Sequence, residues 1–352
     1  MTGRDRPRRN RWRLLRWAVL VLVLAGSGLF LGPKTADALK PTHHLGHVQA
    51  RWLVVAVLAE IGSLIAFSLV TWSLITRAER PKWRRVLRLD LVTIGLSHAV
   101  PVGWAAGTAL GYELLREEGV DGVQSGFVKV SQSLLSSLLL ELVFSVALLL
   151  QTIVYGPSAT NLGLAAAGAV LAGLIIAFCY LLAHRPSFVT AIATRTVGRL
   201  PRVDPARLVG IVDSLSQRMT ILLRRKALLA RVCLWSLLNW AFDLLALWAA
   251  LRAFGSPPHL VLLVIAFCVG QVAASIPISP GGLGVVETSL VPLLAGFGTA
   301  SSVAVLGVLC WRLVNFWLPL PVGAGAYLLI VLERRRGRRE RDRLDVESAA
   351  AR

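Results

Sequence analysis

The sequence predicts an all-α, polytopic transmembrane helical bundle with about six full spans and two broken, re-entrant hairpins, the pattern of an inverted repeat. Three observations predict it. The chain is 55% hydrophobic over 352 residues, with a mean hydropathy of +0.66; a soluble domain holds ~45–50% apolar residues. Several runs reach the ~17–25 residues that a crossing needs while carrying few or no charges. The basic residues behind the net charge of +19 flank those runs, as the positive-inside pattern requires. Nucleic-acid binding is excluded because the charges sit on no soluble module. Facing an anionic leaflet, each would gain about 1 kcal/mol, so membrane lipids are the expected partner. Oligomerisation stays open.

Residues 1–13 carry Arg4, Arg6, Arg8, Arg9, Arg11 and Arg13 and form a basic tail expected inside. The run 14–31 follows. Ala36-Asp37-Ala38 resembles a signal cleavage site, but the run exceeds the usual ~7–15-residue signal core, so an uncleaved anchor is expected. His43, His44 and His47 stand in the next linker with only Asp37 as an acid and no cysteine, a poor set for a metal. The second span, 52–75, contains Glu60. The loop 76–90 is densely basic and is expected inside, with Trp83 at the headgroups.

Residues 91–112 are apolar but broken at Ser97-His98-Ala99-Val100-Pro101-Val102-Gly103-Trp104. Spans 131–155, with Glu141, and 162–182 follow. The basic loop 184–231 holds an amphipathic stretch over 205–231 that reads as a surface helix. Span 232–254 carries Asn239 and Asp243, four apart and so on one face. Run 260–276 leads into Pro277-Ile278-Ser279-Pro280-Gly281-Gly282-Leu283-Gly284-Val285-Val286-Glu287. Run 288–298 is apolar again, and 301–332 carries Arg312, Pro319 and Pro321. The charged tail 333–352 is expected inside. The membrane domain is thus 14–332.

Parity of the basic loops sets the topology. Loops 76–90 and 184–231 share a side, yet three apolar segments separate them, so 91–112 dips in and returns. Loop 184–231 and the tail also share a side. Segment 232–254 crosses out, and 301–332, ~48 Å as a helix, crosses back with a kink at Pro319. Segments 260–276 and 283–298 then form a V with its tip at Pro277–Gly282. Simple through-crossings with an imperfect charge bias are the rival. Both tips carry proline and glycine, which free backbone groups that only protein or cavity water can satisfy in lipid. Broken helices beside an acid at membrane depth point to a transport or lipid-handling site; a plain turn between spans is the alternative.

These residues carry a family resemblance. Pro280-Gly281-Gly282-Leu283-Gly284-Val285-Val286-Glu287, followed by Arg312, Trp317 and Pro319, resembles the lysylphosphatidylglycerol synthase transmembrane-region family, also described as flippase-like integral membrane proteins. Pro101-Val102-Gly103 with Tyr112, Leu115 and Gly119 resembles its first broken segment. The likeness covers about 45–332. Many members have a Glu-Arg pair where Glu141 is followed by Leu142, and a polar residue where Trp104 follows Gly103. Bifunctional relatives add a soluble aminoacyl-transferring domain; this chain ends soon after its last span, so aminoacyl transfer is not expected. The resemblance, rather than the composition, implies a lipid as the substrate.

The candidate site follows. Glu287 would bind a cationic headgroup, relay protons or accept N–H groups of the break. Arg312 would pair with Glu287 or hold a lipid phosphate through two donors at once. Pro280, Gly281, Gly282, Gly284, Pro101 and Gly103 would shape the groove, although glycines also serve helix packing. Glu60, Glu141, Asn239, Asp243 and His98 form a proton or polar path, or simply hydrogen-bond across helices. Ser279 lies in no GxSxG frame. The four cysteines, Cys179, Cys233, Cys268 and Cys310, are far apart in apolar runs and read as small hydrophobes. No metal, cofactor, ATP motif or catalytic residue is expected. The reading is a multi-pass protein of a prokaryotic plasma (inner) membrane, both termini cytoplasmic, that binds or translocates a phospholipid or polyprenyl-linked intermediate. A membrane-embedded lipid-modifying transferase and a non-transporting partner subunit are the alternatives.

Overall fold

The computed structural model describes residues 48–100, 102–156, 159–196, 205–275 and 279–350. The N-terminal tail, the run 14–31, the histidine linker, Pro101 and Pro277 lie outside them. The described chain is helical, without strands: α1 Ala50–Leu74, α2 Trp83–Ala99, α3 Gly103–Glu117, α4 Gly122–Tyr155, α5 Ala159–His184, α6 Pro186–Thr196, α7 Pro205–Arg224, α8 Lys226–Phe254, α9 Leu260–Ser275, α10 Val285–Gly296, α11 Ser301–Arg312 and α12 Pro319–Ala350. Among these residues four helices are long and apolar enough to cross a membrane, Ala50–Leu74, Gly122–Tyr155, Lys226–Phe254 and Ser301–Arg334. A bent pair, Gly168–His184 with Pro186–Arg195 at 107°, raises that to five. The protein is an all-α polytopic bundle.

Two stretches read as loops are largely helical. Helix α2 starts at Trp83 and absorbs most of the basic loop 76–90. The loop 184–231 holds α6, α7 and the start of α8, with the amphipathic stretch forming α7. The last segment is continuous through a π turn at Leu313–Trp317, where Leu318 N–H donates to the Leu313 carbonyl. Pro319 has no N–H to give, and the wider turn is a known way to absorb that loss.

Helices α1 and α8 form the most extensive pair and run antiparallel. Gln49 N–H donates to the Ala253 carbonyl, Trp52 meets the Trp248 ring edge-on, and Asn239 donates to Ser63. In lipid, tails are as apolar as leucine, so helices associate by close packing. Both helices accordingly bury small residues, including Ala56, Ala59 and Ala66 on α1 and Ala246, Ala249 and Ala250 on α8. Helix α2 also packs closely on α12. A Cβ on Gly95 would lie 3.3 Å from the Gly323 Cα, and one on Gly323 would lie 2.5 Å from the Leu91 carbonyl oxygen.

The bundle has two ends. At one, Arg80 donates to the Ser73 and Ile75 carbonyls at the close of α1, and Gln124 donates to the Leu74 carbonyl. Burial, then the neighbouring Arg77 and Arg231, holds the Arg80 guanidinium below the usual arginine range. Ion pairs Arg85–Glu118, Arg88–Glu333 and Arg334–Glu117 join α2, α3 and α12 there. At the other end lie Gln49, Ala253 and Gly255, the last facing Val303. The hairpin α2–α3 begins and ends at the first end; the hairpin α9–α10 begins after Gly255 and closes before α11, at the second. They enter the bundle from opposite ends.

Their backbones repeat. Val102, after Pro101, is left-handed at φ 55°, ψ 31°. Gly281, after Pro280, sits at φ 52°, ψ 27°. Each hairpin then closes on a left-handed glycine, Gly119 and Gly298, both at φ 89°. Val120 N–H donates to the Leu115 carbonyl, and Thr299 N–H to the Leu294 carbonyl, the bond that a Schellman helix end makes.

Candidate functional site at the second hairpin tip

The tip of α9–α10 is a single 3-10 turn, Pro280–Gly282. Ser279 is extended, and its hydroxyl donates to the Leu283 carbonyl at 2.7 Å. Gly281, Gly282 and Gly284 all have positive φ. The turn also leaves no space for side chains. A Cβ on Gly282 would come within 2.7 Å of the Ala274 Cα, and one on Gly281 would overlap the Phe316 ring.

Gly284 caps the start of α10, and its N–H donates to Glu287 Oε2 at 2.6 Å. A carboxylate three residues into a helix satisfies a donor that the helix itself cannot. The other oxygen, Oε1, accepts from Arg312 Nε at 2.9 Å, and Arg312 Nη2 donates to the Gly281 carbonyl at 2.8 Å. One guanidinium therefore clamps both the acid and a carbonyl freed by the break. Arg312 is 4% exposed. Its Nη1 carries no hydrogen bond among the described residues, so one arm of the fork is uncommitted.

Phe316 is the floor of this arrangement. The guanidinium carbon lies 4.8 Å from its ring centroid. His98, one turn before the first tip, stacks on the same ring at 5.0 Å and 25°. The His98 Nδ1 is buried without a hydrogen-bond partner. Helix α2 also touches the turn Pro280–Gly282 directly. On the first tip, a Cβ on Gly103 would overlap the Ser97 carbonyl oxygen, so that chain too folds hard against its incoming helix.

Beside Arg312 lies a second polar group. Asp243 Oδ1 accepts from Trp311 Nε1 at 2.8 Å and Asn315 Nδ2 at 3.0 Å, and Oδ2 accepts from Gln271 Nε2 at 2.9 Å. Glu60 of α1 is 2% exposed, and its electrostatic neighbours are Asp243 and Asn315. Asn239, one turn from Asp243, is committed to Ser63 of α1.

The structure thus brings Glu287, Arg312, Gly281, Gly282, Gly284 and His98 together, with Asp243 and Glu60 adjoining. Glu141 stands apart. It packs against Gly168 of α5 and shares no hydrogen bond or ion pair with the others. Sequence reasoning missed Asn315, Phe316, Gln271 and the buried pair Lys129–Asp90, 2.8 Å apart. A signal existed for two of these. Gln271 is the lone amide of α9, and Lys129 the lone cation of α4.

The model of the lysylphosphatidylglycerol synthase TM region matches residues 13–323. The chain belongs to the lysylphosphatidylglycerol synthase transmembrane-region family. Both hairpins, the ion pair and the acidic group lie within the matched range. A UPF0104 membrane protein of Methanothermobacter thermautotrophicus is 24% identical over 318 residues, which cover 87% of this chain and 92% of the relative. A UPF0104 membrane protein of Pyrococcus horikoshii is 25% identical over 130 residues, 37% of this chain and 38% of the relative. This family member is therefore an integral, multi-pass membrane protein.

Proposed function

We propose that this protein binds and translocates an amphiphilic lipid, a phospholipid or polyprenyl-linked intermediate, along a polar groove between its two broken hairpins. The observation that carries the reading is Arg312, buried against the tip of one hairpin and stacked over the ring that also takes His98 of the other. Its free fork arm suits a phosphate oxygen. Glu287 holds the fork in place and caps α10. The family description, which concerns a synthase of a phospholipid, supports a lipid over another solute. In this reading both hairpins are re-entrant, the basic loops 76–90 and 184–231 and both termini face the cytoplasm, and 14–332 works as one unit in a prokaryotic plasma membrane.

The test is movement of fluorescent phospholipids and a short-chain polyprenyl phosphate in proteoliposomes. Wild type is expected to move at least one of them. Arg312→Ala is expected to lose that movement, and Glu287→Gln to reduce it, with both variants folded. Transport by wild type that Arg312→Ala leaves intact would overturn the assignment of the site.

A further inference from the structure

The buried charges around Arg312 do not balance. Glu60, Asp243 and Glu287 contribute three carboxylates against a single guanidinium, and His98, when neutral, adds nothing. Lys129 does not help, because it is paired with Asp90. An unpaired charge at membrane depth costs at least ~2.5–3.5 kcal/mol on insertion scales, and one partner removed from a buried ion pair costs ~3–5 kcal/mol. Binding an anionic headgroup at Arg312 would deepen the imbalance.

The geometry shows where the compensation belongs. Glu287 is satisfied by Arg312 and the Gly284 N–H. Asp243 is satisfied by three N–H donors, from Trp311, Asn315 and Gln271. Glu60 is different: Asn315 is its hydrogen-bonding neighbour, but its Oε2 is buried with no hydrogen-bond partner, and the charge acting on it is the like-charged Asp243. Two carboxylates sharing a buried site do not both stand ionised and bare. Asn315 and Gln271 turn their amide nitrogens to Asp243, which places two amide oxygens in the same polar group, and oxygens are what a small hard cation takes.

We propose that Glu60, with Asp243 and Asn315, forms a site for a small monovalent cation, a proton or Na⁺, whose occupancy offsets the anion held at Arg312. The inference deepens the lipid-transport reading and supplies what it lacks, a gradient to drive it. The coupling is short. Trp311 and Asn315, which hold Asp243, flank Arg312 on one continuous helical segment, and Asp243 acts electrostatically on Arg312. The charged groups facing Glu60 are Asp243 of α8 and, through it, Arg312.

The test uses purified full-length protein in detergent, with no lipid substrate present. Infrared spectra of wild type and Glu60→Gln are compared in H2O and D2O, and with Na⁺ or choline as the only cation. The wild-type minus Glu60→Gln difference is expected to contain one of two signals. A protonated carboxyl band that moves in D2O identifies the proton; a carboxylate band that shifts when Na⁺ replaces choline identifies Na⁺. A Glu60 carboxylate band indifferent to both overturns the proposal. In proteoliposomes, the gradient of the identified cation is expected to accelerate lipid movement by wild type, and Glu60→Gln to lose that acceleration. A Glu60 signal in a protein that moves no lipid would sink the transport reading and leave the cation site standing, so the two failures are distinguishable.

Discussion

Arg312 is the residue on which the second tip depends. Arg312→Ala leaves the Glu287 carboxylate buried without its charge partner, and the expected loss is about 3–5 kcal/mol, read as a lower Tm in detergent. Glu287→Gln keeps an acceptor for the Gly284 N–H and is expected to lose less. That pairing was legible in sequence, because a charge at membrane depth demands an opposite one and few were on offer. What the sequence hid was the carbonyl of Gly281 as a second acceptor and Phe316 as the floor, since both depend on how α11 lies against the turn. Val102 makes a different prediction. It is left-handed where its counterpart is Gly281, and a non-glycine there carries ~1–2 kcal/mol of strain. Val102→Gly is expected to hold or raise the Tm by a few degrees even after the entropy that glycine adds to the unfolded chain. Gly281→Ala, in the equivalent position but with Phe316 in the way, is expected to lower it sharply.

At the scale of elements, each half of the bundle carries a hairpin and then a helix whose buried base reaches back to an acid of that hairpin. In the second half Arg312 of α11 pairs with Glu287 of α10; in the first, Lys129 of α4 pairs with Asp90 of α2. The second pair was readable and the first was not, because Asp90 stands at the edge of a basic run that resembles a loop. Only the helix through Trp83–Ala99 turns it inward, and Gly111 of α3 gives the lysine stem its space. Asp90→Leu or Lys129→Met alone is expected to cost about 3–5 kcal/mol, whereas the two together are expected to fall near wild type. A double-mutant cycle on thermal unfolding checks this; additive losses would mean the pair does not act as a unit. The crossing of α2 over α12 is equally legible afterwards and opaque beforehand. Glycines at 95 and 323 are ordinary in a membrane helix, and nothing local says that they face one another.

Across the whole molecule, hydropathy was enough to mark the apolar helices, because apolar length acts on every span alike, and parity of the basic loops leads to the expectation of a hairpin entering from each side. Contacts between distant segments were not accessible in that way. The ion pairs joining Arg85, Arg88 and Arg334 to Glu118, Glu333 and Glu117 put both ends of the first hairpin beside the base of the last span. In sealed membranes, a cysteine replacing Glu117 is therefore expected to react with impermeant reagents only from the cytoplasmic side, and one replacing the exposed Ala300 only from the other side. Labelling of both from one side would refute the opposed entry of the hairpins.

The stacking of His98 on Phe316 also has a bearing on synthesis. The two rings are 218 positions apart in the chain (316 − 98). At ~5–20 residues per second, the first hairpin is made roughly 10–40 s before the ring that covers its tip. Through that interval its broken backbone must rest on the insertion machinery or on water. A nascent chain stalled just short of Phe316 should therefore present a first hairpin that proteases and chaperones can recognise as unfinished, while one stalled late enough for Phe316 to have left the ribosome should not.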